Sequence, residues 1–349
     1  MASRGAIPIL RQYGRRTLTQ SLADPASIPG APAPTDRRTA RLNRLRAGDA
    51  LFRRMTRAAA LGVLLLLGGV IVSLLVGSTP AFLAFGPGFV TAEVWNPVTD
   101  QFGALAPIHG TLVTSAIAML IAVPIGIMIA FFLTELCPMA LRRPIGMAIE
   151  LLAGVPSIIY GIWGLFVFAP FLQKYVQPLI IATFENVPLL SDLFAGPPYG
   201  IGVLTAGLIL AIMVLPFVTA ISRDVFDSVP PVMKEAAYGL GCTRWEVFRS
   251  VILPYTRVGV IGGVMLGLGR ALGETMAVTF VIGNAHRISA SVLAPGTTIS
   301  ASIANEFTEA VGDIYTSSLI ALGLILFAIT FAVLSAARLM LARLDRGKS

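Results

Sequence analysis

The chain has 349 residues, of which 56% are hydrophobic and 13% are charged, and its mean hydropathy is +0.82. A soluble domain carries about 25% charged residues, so this composition excludes an ordinary soluble protein and predicts an integral membrane protein. The net charge of +8 does not indicate nucleic acid binding. Most of that charge lies in one N-terminal tail, where anionic lipid and membrane topology explain it.

We predict that residues Met1–Arg57 form a disordered cytoplasmic tail. They are rich in Ala, Pro and Arg and show no apolar periodicity, which is typical of disorder. The arginines of Arg37–Arg57 suit a basic helix that lies on the inner leaflet beside the first span. The pair Arg15-Arg16 is not expected to be a secretion signal, because no apolar segment follows at the required distance.

Six later segments each contain the roughly 20 mostly apolar residues that are needed to cross a bilayer. They predict helices, because lipid offers no partner for backbone N–H and C=O groups, and the alternating segments of a barrel are absent. The expected spans are Ala58–Val76, Ile108–Leu133, Ile145–Phe168, Gly200–Ser222, Arg257–Ile282 and Ser317–Leu339. We therefore predict an all-α membrane domain at residues 58–346, followed by a short tail at residues 347–349.

Lys and Arg residues are concentrated on one predicted side of the membrane. The two termini and the loops on their side hold 23 of the 26 such residues, so the positive-inside rule places both termini in the cytoplasm. The opposite loops contain Lys174 and Arg287, and Arg270 lies within a span. Those outer loops are Thr79–Pro107, Phe171–Tyr199 and Gly283–Thr316, of which the last is expected to contain a small ordered element.

The inner loop Ser228–Pro254 has the pattern of a helical hairpin. Pro230-Pro231 suits the first turn of a helix, and Gly241 suits the left-handed residue that ends it. Thr243 and Glu246 have the spacing of a capping box at the start of a second helix. That second helix is expected to carry an apolar stripe and to stop at Leu253-Pro254; the stripe comprises Trp245, Phe248 and Ile252.

This hairpin resembles a signature of the permease subunits of bacterial ATP-binding-cassette importers. The signature reads Glu-Ala-Ala, three residues, Gly, nine residues, Ile, one residue, Leu-Pro, and Val251 stands here in place of Ile. The matching residues are Glu235, Ala236, Ala237, Gly241, Leu253 and Pro254. The resemblance implies a coupling helix that docks in a groove of a cytoplasmic ATPase and transmits the closure of that ATPase to the spans.

The fifth predicted span carries two ionisable residues in its apolar middle, Arg270 and Glu274. Glycines 259, 263 and 267 recur every four residues and predict a face that another helix approaches closely. An unpaired charge at the bilayer centre costs roughly 2.5 kcal/mol or more, so we expect these two side chains, four residues apart, to pair. The pair suits either a structural lock between helices or an anion pathway in which Glu274 holds Arg270 between visits of the anion.

An arginine in that position favours an oxyanion as the transported species. Its planar fork of donors matches phosphate oxygens, and it stays charged at any physiological pH. In the second span, Thr111 and Ser115 begin a stripe of small residues that continues through Ala118, Ala122 and Gly126. That stripe suits either the lining of the same cavity or helix packing alone.

Several segments resemble the phosphate-specific transport permeases, and most of all their C-subunit branch: Gly269–Ala277, Leu152–Gly161, Ala294–Gly296 and Ile303–Phe307. The resemblance covers roughly Ala58 to Arg346. It implies a type I importer permease fold in the bacterial inner membrane, which moves inorganic phosphate by alternating access. It also implies three kinds of partner: a homologous permease that completes a heterodimer, two copies of a cytoplasmic ATPase, and an external phosphate-binding protein.

Neither catalysis nor a cofactor is expected of this chain. The C-terminal Gly347–Ser349 lacks the first glycine of a nucleotide-binding loop. His109 and His286 lie far apart without metal-ligating neighbours, and Cys137 and Cys242 suggest neither a disulfide framework nor a thiolate metal site. We therefore expect no metal, no bound nucleotide and no catalytic residue.

Two alternative functions remain open at this point. A permease of the same architecture could carry another oxyanion, such as sulfate or molybdate, because only the resemblance selects phosphate. An ion-gradient-driven secondary transporter would use Glu274 as a proton site. That alternative normally shows an inverted internal repeat, which we do not find, and it leaves the inner hairpin unexplained.

Overall fold

The computed structural model describes residues 36–188 and 190–346. The predicted tail before residue 36 and the short tail at 347–349 lie outside the described residues. Within this part of the chain, six helices are long and apolar enough to cross a membrane, which confirms the predicted all-α membrane fold with six spans. They are Leu51–Phe85, Leu105–Leu136, Ser157–Phe184, Val203–Asp227, Arg244–Gly273 and Asp313–Leu339, named below the first to sixth spans.

The regular elements follow one another along the chain with little strand. The helices are α1 (Asp36–Phe85), α2 (Gly88–Thr91), α3 (Leu105–Phe131), α4 (Met139–Gly154), α5 (Ser157–Trp163), α6 (Ala169–Phe171), α7 (Gln177–Phe184), α8 (Leu190–Leu193), α9 (Val203–Asp227), α10 (Pro231–Gly239), α11 (Arg244–Val247), α12 (Leu253–Gly273), α13 (Met276–Ile282), α14 (Ile299–Glu306) and α15 (Asp313–Arg346). Strands β1 (Trp95–Asn96) and β2 (Gln101–Phe102) pair antiparallel. Three π-helical turns join helices without breaking them: Gly164–Phe168, Leu172–Val176 and Phe248–Ile252. A fourth, Phe132–Leu136, extends α3 to the end of the second span, and the chain is extended at Cys137.

The chain divides into two compact units between Gly69 and Val70. In the first unit, the described part of the predicted tail is helical and belongs to α1, the helix that also forms the first span. The segment is rich in Arg, Ala and Leu, which favour helices, and it contains no proline that would end one.

The predicted third span, Ile145–Phe168, is wrong at its boundaries. Helix α4 ends at Gly154, and Val155 and Pro156 are extended, with ψ angles of 128° and 136°. The residue before a proline avoids the α-helical region, so the apolar run is broken there. The span begins instead at Ser157 and extends to Phe184, well into the segment that we predicted to be an outer loop.

The predicted fifth span, Arg257–Ile282, is wrong at both ends. The helix begins at Arg244 and passes through Leu253-Pro254, where a stop was predicted, because Pro254 lies in the first turn of α12, directly after a π-helical turn. A proline in a first turn costs no intrahelical bond that the turn needs. At the other end the helix stops at Gly273, and Glu274 is extended, with ψ of 131°.

The fourth span, α9, forms the centre of the second unit, and 61% of the residues in its apolar 18-residue stretch are buried. The glycine face of α12 packs against it. A Cβ atom built on Gly263 would lie 2.8 Å from Ile221, and one built on Gly259 would lie 2.6 Å from Val225. A Cβ atom cannot occupy either position without a shift, so the predicted close helix approach is confirmed, and α9 is the helix that approaches.

Candidate functional site

The hairpin between the fourth and fifth spans has the predicted local structure. Helix α10 begins with Pro231 in its first turn, and Gly241 has a φ of +87°, a left-handed conformation that glycine adopts without strain. The capping box is present: Thr243 Oγ1 accepts a bond from Glu246 N at 3.4 Å, and Glu246 Oε2 accepts one from Thr243 N at 2.7 Å. The sequence therefore determines this turn locally.

The hairpin has one buried face and one exposed face. Ala237, Val247 and Phe248 are buried in a cluster with Phe131 of α3 and Phe226 of α9. The exposed residues of the hairpin include the first two of the matched signature and several apolar side chains: Glu235, Ala236, Val232, Met233 and Leu240. Of the remaining signature residues, Leu253 is half-buried and Pro254 is exposed. The hairpin thus packs on two spans and leaves an apolar surface uncovered.

Glu135 connects the hairpin to the end of the second span. Its Oε1 atom lies 2.6 Å from Lys234 Nζ, and the two side chains are only 9% and 18% exposed. Tyr238 donates to Oε2 at 3.4 Å, and Arg244 donates to the backbone oxygen of Glu135 at 3.0 Å. Burial, followed by the charge of Glu135, raises the pKa of Tyr238, so its hydroxyl stays protonated as a donor.

The sequence offered no signal for this role of Glu135. The ion pair joins residues 99 positions apart. Local pattern predicts contacts within a helix or a turn, whereas this contact depends on how α3 and α10 meet. We call Glu135, Lys234, Tyr238 and Arg244 the hairpin anchor.

Arg270 lies in α12 and faces α9. The Cζ atom of its guanidinium is 4.7 Å from the centre of the Phe217 ring, a distance at which a cation is attracted to the ring face. Its Nε atom is buried and has no hydrogen-bond partner among the described residues. The ring contact therefore holds the guanidinium beside Phe217 and leaves the Nε donor unused.

The predicted ion pair between Arg270 and Glu274 is wrong. Within residues 36–188 and 190–346 no salt bridge involves either side chain. The cause is the end of α12 at Gly273, because an i, i+4 contact requires a helix through both residues. Glu274 Oε1 instead accepts a 3.5 Å bond from Ala277 N, in the first turn of α13.

The polar residues of the second span take two different environments. Thr111 is buried and its hydroxyl is fully engaged: it donates to Pro107 O at 2.7 Å and accepts from Ile299 N at 3.0 Å. Ser115 is buried with no hydrogen-bond partner in the described chain. The stripe below them packs on α9, since a Cβ atom on Gly126 would lie 3.0 Å from Val218. Thr111 thus joins α3 to α14, and Ser115 retains an unused hydroxyl.

A polar and aromatic cluster surrounds Glu306, at the end of the second span away from the hairpin. Its carboxylate accepts from Trp95 Nε1 at 2.6 Å and from Tyr315 OH at 2.7 Å, and it lies 2.7 Å from His286 Nε2. Burial alone would raise the pKa of Glu306, but the bonds from His286, Tyr315 and Trp95 outweigh it and lower that pKa. The cluster joins β1, α14 and α15 to the preceding loop, which confirms the ordered element predicted in Gly283–Thr316.

Comparison with known proteins gives one consistent result. The family described as "Binding-protein-dependent transport system inner membrane component" matches residues 122–346. The phosphate transport system permease protein PstC of Mesorhizobium japonicum is 70% identical over 314 residues, which cover 90% of this chain and 96% of that protein. The PstC protein of Pasteurella multocida is 56% identical over 298 residues, covering 85% of this chain and 93% of that one.

More distant proteins share the fold. A probable PstC protein of Methanocaldococcus jannaschii is 41% identical over 260 residues, which cover 73% of this chain and 81% of that protein. Among solved structures, a chain of a bacterial alginate ABC transporter, crystallised with its alginate-bound periplasmic protein, superposes with a TM-score of 0.58. It is 17% identical, and the match covers 87% of this chain and 98% of that one. This likeness concerns the fold alone.

The hairpin anchor predicts how the substitution Glu135→Gln changes local stability. Loss of the carboxylate removes an almost buried ion pair and leaves Lys234 without its counter-charge, which costs about 1–3 kcal/mol. We expect amide hydrogen exchange in residues 231–246 to accelerate by roughly 5- to 150-fold, since each 1.4 kcal/mol corresponds to a factor of ten.

The matched control for this exchange measurement is Glu150→Gln. Glu150 pairs with Arg223 at 2.7 Å and does not belong to the hairpin anchor. Exchange in residues 231–246 should remain at the wild-type rate in this control. Equal acceleration in both variants, or none in Glu135→Gln, would contradict the assigned role of Glu135.

Proposed function

Because this chain belongs to the binding-protein-dependent transport system inner membrane components, we propose that it is the permease subunit of an ATP-driven importer of inorganic phosphate. Relatives that are 41–70% identical are named phosphate transport permeases, which supports phosphate over sulfate or molybdate. The chain is a multi-pass protein of the inner membrane with a type I permease fold. It transports and does not catalyse; ATP hydrolysis takes place on a partner chain.

One observation carries the transport mechanism: a single helix runs from the hairpin to Arg270, near the other end of the fifth span. The helix extends from Arg244 to Gly273 through a π-helical turn and contains Arg270 in its last turn. A displacement of the hairpin therefore moves the backbone that carries Arg270. Such a rigid-body shift of one packed helix is a common way in which a protein changes between two states.

The exposed face of the hairpin is the proposed ATPase contact. The distribution of Lys and Arg residues along the chain supports a cytoplasmic position for the hairpin and for both termini. Glu235 and Ala236 would contact the ATPase together with the exposed Leu240. Ala237 instead packs in the buried face of the hairpin, and the left-handed Gly241 forms its turn. Leu253 and Pro254 lie where the hairpin helix enters the span. An apolar surface of this kind, rimmed by charge, is typical of a docking site.

Arg270 is the proposed oxyanion contact in the membrane. Its guanidinium is oriented by Phe217 and keeps an unpaired buried Nε, so its fork of donors is available to a phosphate that passes. Glu274 shapes the path by supporting the start of α13. Ser115 adds a hydroxyl that is free to donate, and Thr111 positions α14 through its bond to Ile299.

The importer contains further subunits. We propose that a homologous permease pairs with this chain to form a heterodimer, that two copies of the ATPase bind below them, and that a phosphate-binding protein delivers substrate from outside. Exposed apolar side chains on the spans support contacts with a second permease and with lipid; they include Leu120, Leu266 and Phe331, which are 79%, 67% and 65% exposed.

The energy source tests the proposed class of transporter. We expect proteoliposomes that contain the full complex and the external binding protein to take up radiolabelled phosphate only when ATP is supplied on the ATPase side. Excess sulfate should not compete. Uptake driven by a proton gradient without ATP would contradict the proposed class of transporter. Transport of sulfate at the same rate as phosphate would contradict the proposed selectivity for phosphate.

The role of Arg270 is tested in the same assay. We expect Arg270→Gln to abolish ATP-driven phosphate uptake while the complex still assembles, because a neutral amide offers no charge to an oxyanion. Phe217→Leu keeps the charge but removes the ring contact, which is worth about 0.5–1 kcal/mol, so uptake should fall about two- to fivefold. Wild-type uptake by an assembled Arg270→Gln complex would leave Arg270 with a structural role only.

A further inference from the structure

Arg287 occupies a distinctive place in the loop between α13 and α14. It is exposed and lines two adjacent cavities, one of about 500 Å³ and one of about 10 Å³. In the part of the chain that the structure describes, its guanidinium forms neither an ion pair nor a hydrogen bond. A cation that lines a cavity without an ion-pair partner is available to a ligand.

Two serine hydroxyls line both cavities beside Arg287. Ser289 Oγ accepts a bond from Ser291 N at 3.1 Å, and Ser291 Oγ accepts one from Leu293 N at 3.2 Å. Each oxygen is therefore occupied as an acceptor, while its O–H remains free to donate. His109 and Thr297 complete the polar lining of the narrow cavity. The wall thus presents one fixed positive charge and several donors, which is the donor set that an oxyanion requires.

The loop that carries these donors is held in place at both ends. Gly296 N donates to Ile282 O at 3.0 Å and Ala285 N donates to Gly296 O at 2.9 Å. In the middle, Ile288 N donates to Glu93 Oε1 at 2.6 Å. Because the loop is already ordered, ligand binding would not carry the entropic cost of ordering the donors of the loop.

One carboxylate, Asp192, also lines the wider cavity. It forms no ion pair with Arg287 among the described residues. A carboxylate repels an anion that carries no proton but accepts a hydrogen bond from one that does. Inorganic phosphate at neutral pH keeps at least one proton, so it can accept from Arg287 and donate to Asp192.

We propose that Arg287, Ser289 and Ser291 form an oxyanion-binding site that receives inorganic phosphate at the external mouth of the permease. The site lies at the end of the second span away from the hairpin, since its narrow cavity includes His109 in the first turns of α3. This inference rests on the proposed function for the identity of the anion and for the external position of the loop.

The site can be tested with a thiol reporter in the intact complex. The chain has two cysteines, Cys137 and Cys242, so Cys137→Ser and Cys242→Ser provide the background, and Ala290→Cys places one thiol in the wall of the wider cavity. The probes are an anionic sulfonatoethyl and a cationic trimethylammonium-ethyl methanethiosulfonate. Val98→Cys, at a residue 91% exposed and outside both cavities, is the control.

We expect the anionic reagent to be favoured at Ala290→Cys by about fivefold relative to Val98→Cys, as one nearby charge predicts at high dielectric. Millimolar inorganic phosphate should slow that reaction, and Arg287→Gln should remove both the preference and the protection. Arg287→Lys should keep the preference and part of the protection. Lys174→Gln, which removes the other Lys or Arg of the predicted outer loops, should change neither.

Two results would overturn the inference. One is labelling that phosphate slows equally, or not at all, in the wild-type and Arg287→Gln backgrounds. The other is unchanged labelling together with weaker binding of the external binding protein to the Arg287→Gln complex, which would make Arg287 a docking contact. Labelling needs neither ATP nor transport, so its outcome is separate from the uptake assay that tests the proposed function.

Discussion

The structure depends on how it accommodates Arg270, a charge that cannot be removed by deprotonation, inside an apolar span. The chain supplies no carboxylate for it among the residues described. It supplies the face of Phe217 on the most buried span instead. The glycine face of α12 permits this contact, because Gly263 and Gly267 allow α12 to approach α9 within the reach of a side chain. The charge is thus held against a ring but not neutralised, as the proposed transient anion site requires.

The same helix links that charge to the hairpin. Without the π-helical turn at Phe248–Ile252, Pro254 would mark a break, and the hairpin would be a separate element. With it, the helix from Arg244 to Gly273 is continuous. The hairpin anchor adds a second connection, from Lys234 through Glu135 to the second span. A force applied to the hairpin therefore reaches two spans, one through backbone and one through an ion pair.

The local structure of the hairpin could be predicted from sequence, whereas its tertiary contacts with the spans could not. The left-handed Gly241 and the Thr243 cap depend only on neighbouring residues, so the sequence sufficed for both. The break at Pro156 could also have been predicted, because the residue before a proline avoids the α-helical region. Hydropathy alone does not reveal this break, since the apolar run continues on both sides of it. A glycine such as Gly273 commonly ends a helix, but Gly263 and Gly267 lie inside α12. The sequence therefore did not distinguish the helix end, and the ion pair of Arg270 was wrongly expected. Glu135 and Glu306 contact residues that lie up to 109 and 211 positions away in the sequence, so no spacing pattern predicts these contacts.

The most direct test of this account follows the helix between two trapped states. Spin labels at Leu240 in the hairpin and Leu266 in α12 would each be measured by pulsed electron resonance against a label at Phe331 in α15. The full complex would be compared without nucleotide and with trapped ADP-vanadate, using labelled proteins that still import phosphate. The account predicts that both distances change together. A change at Leu240 with no change at Leu266 would contradict it.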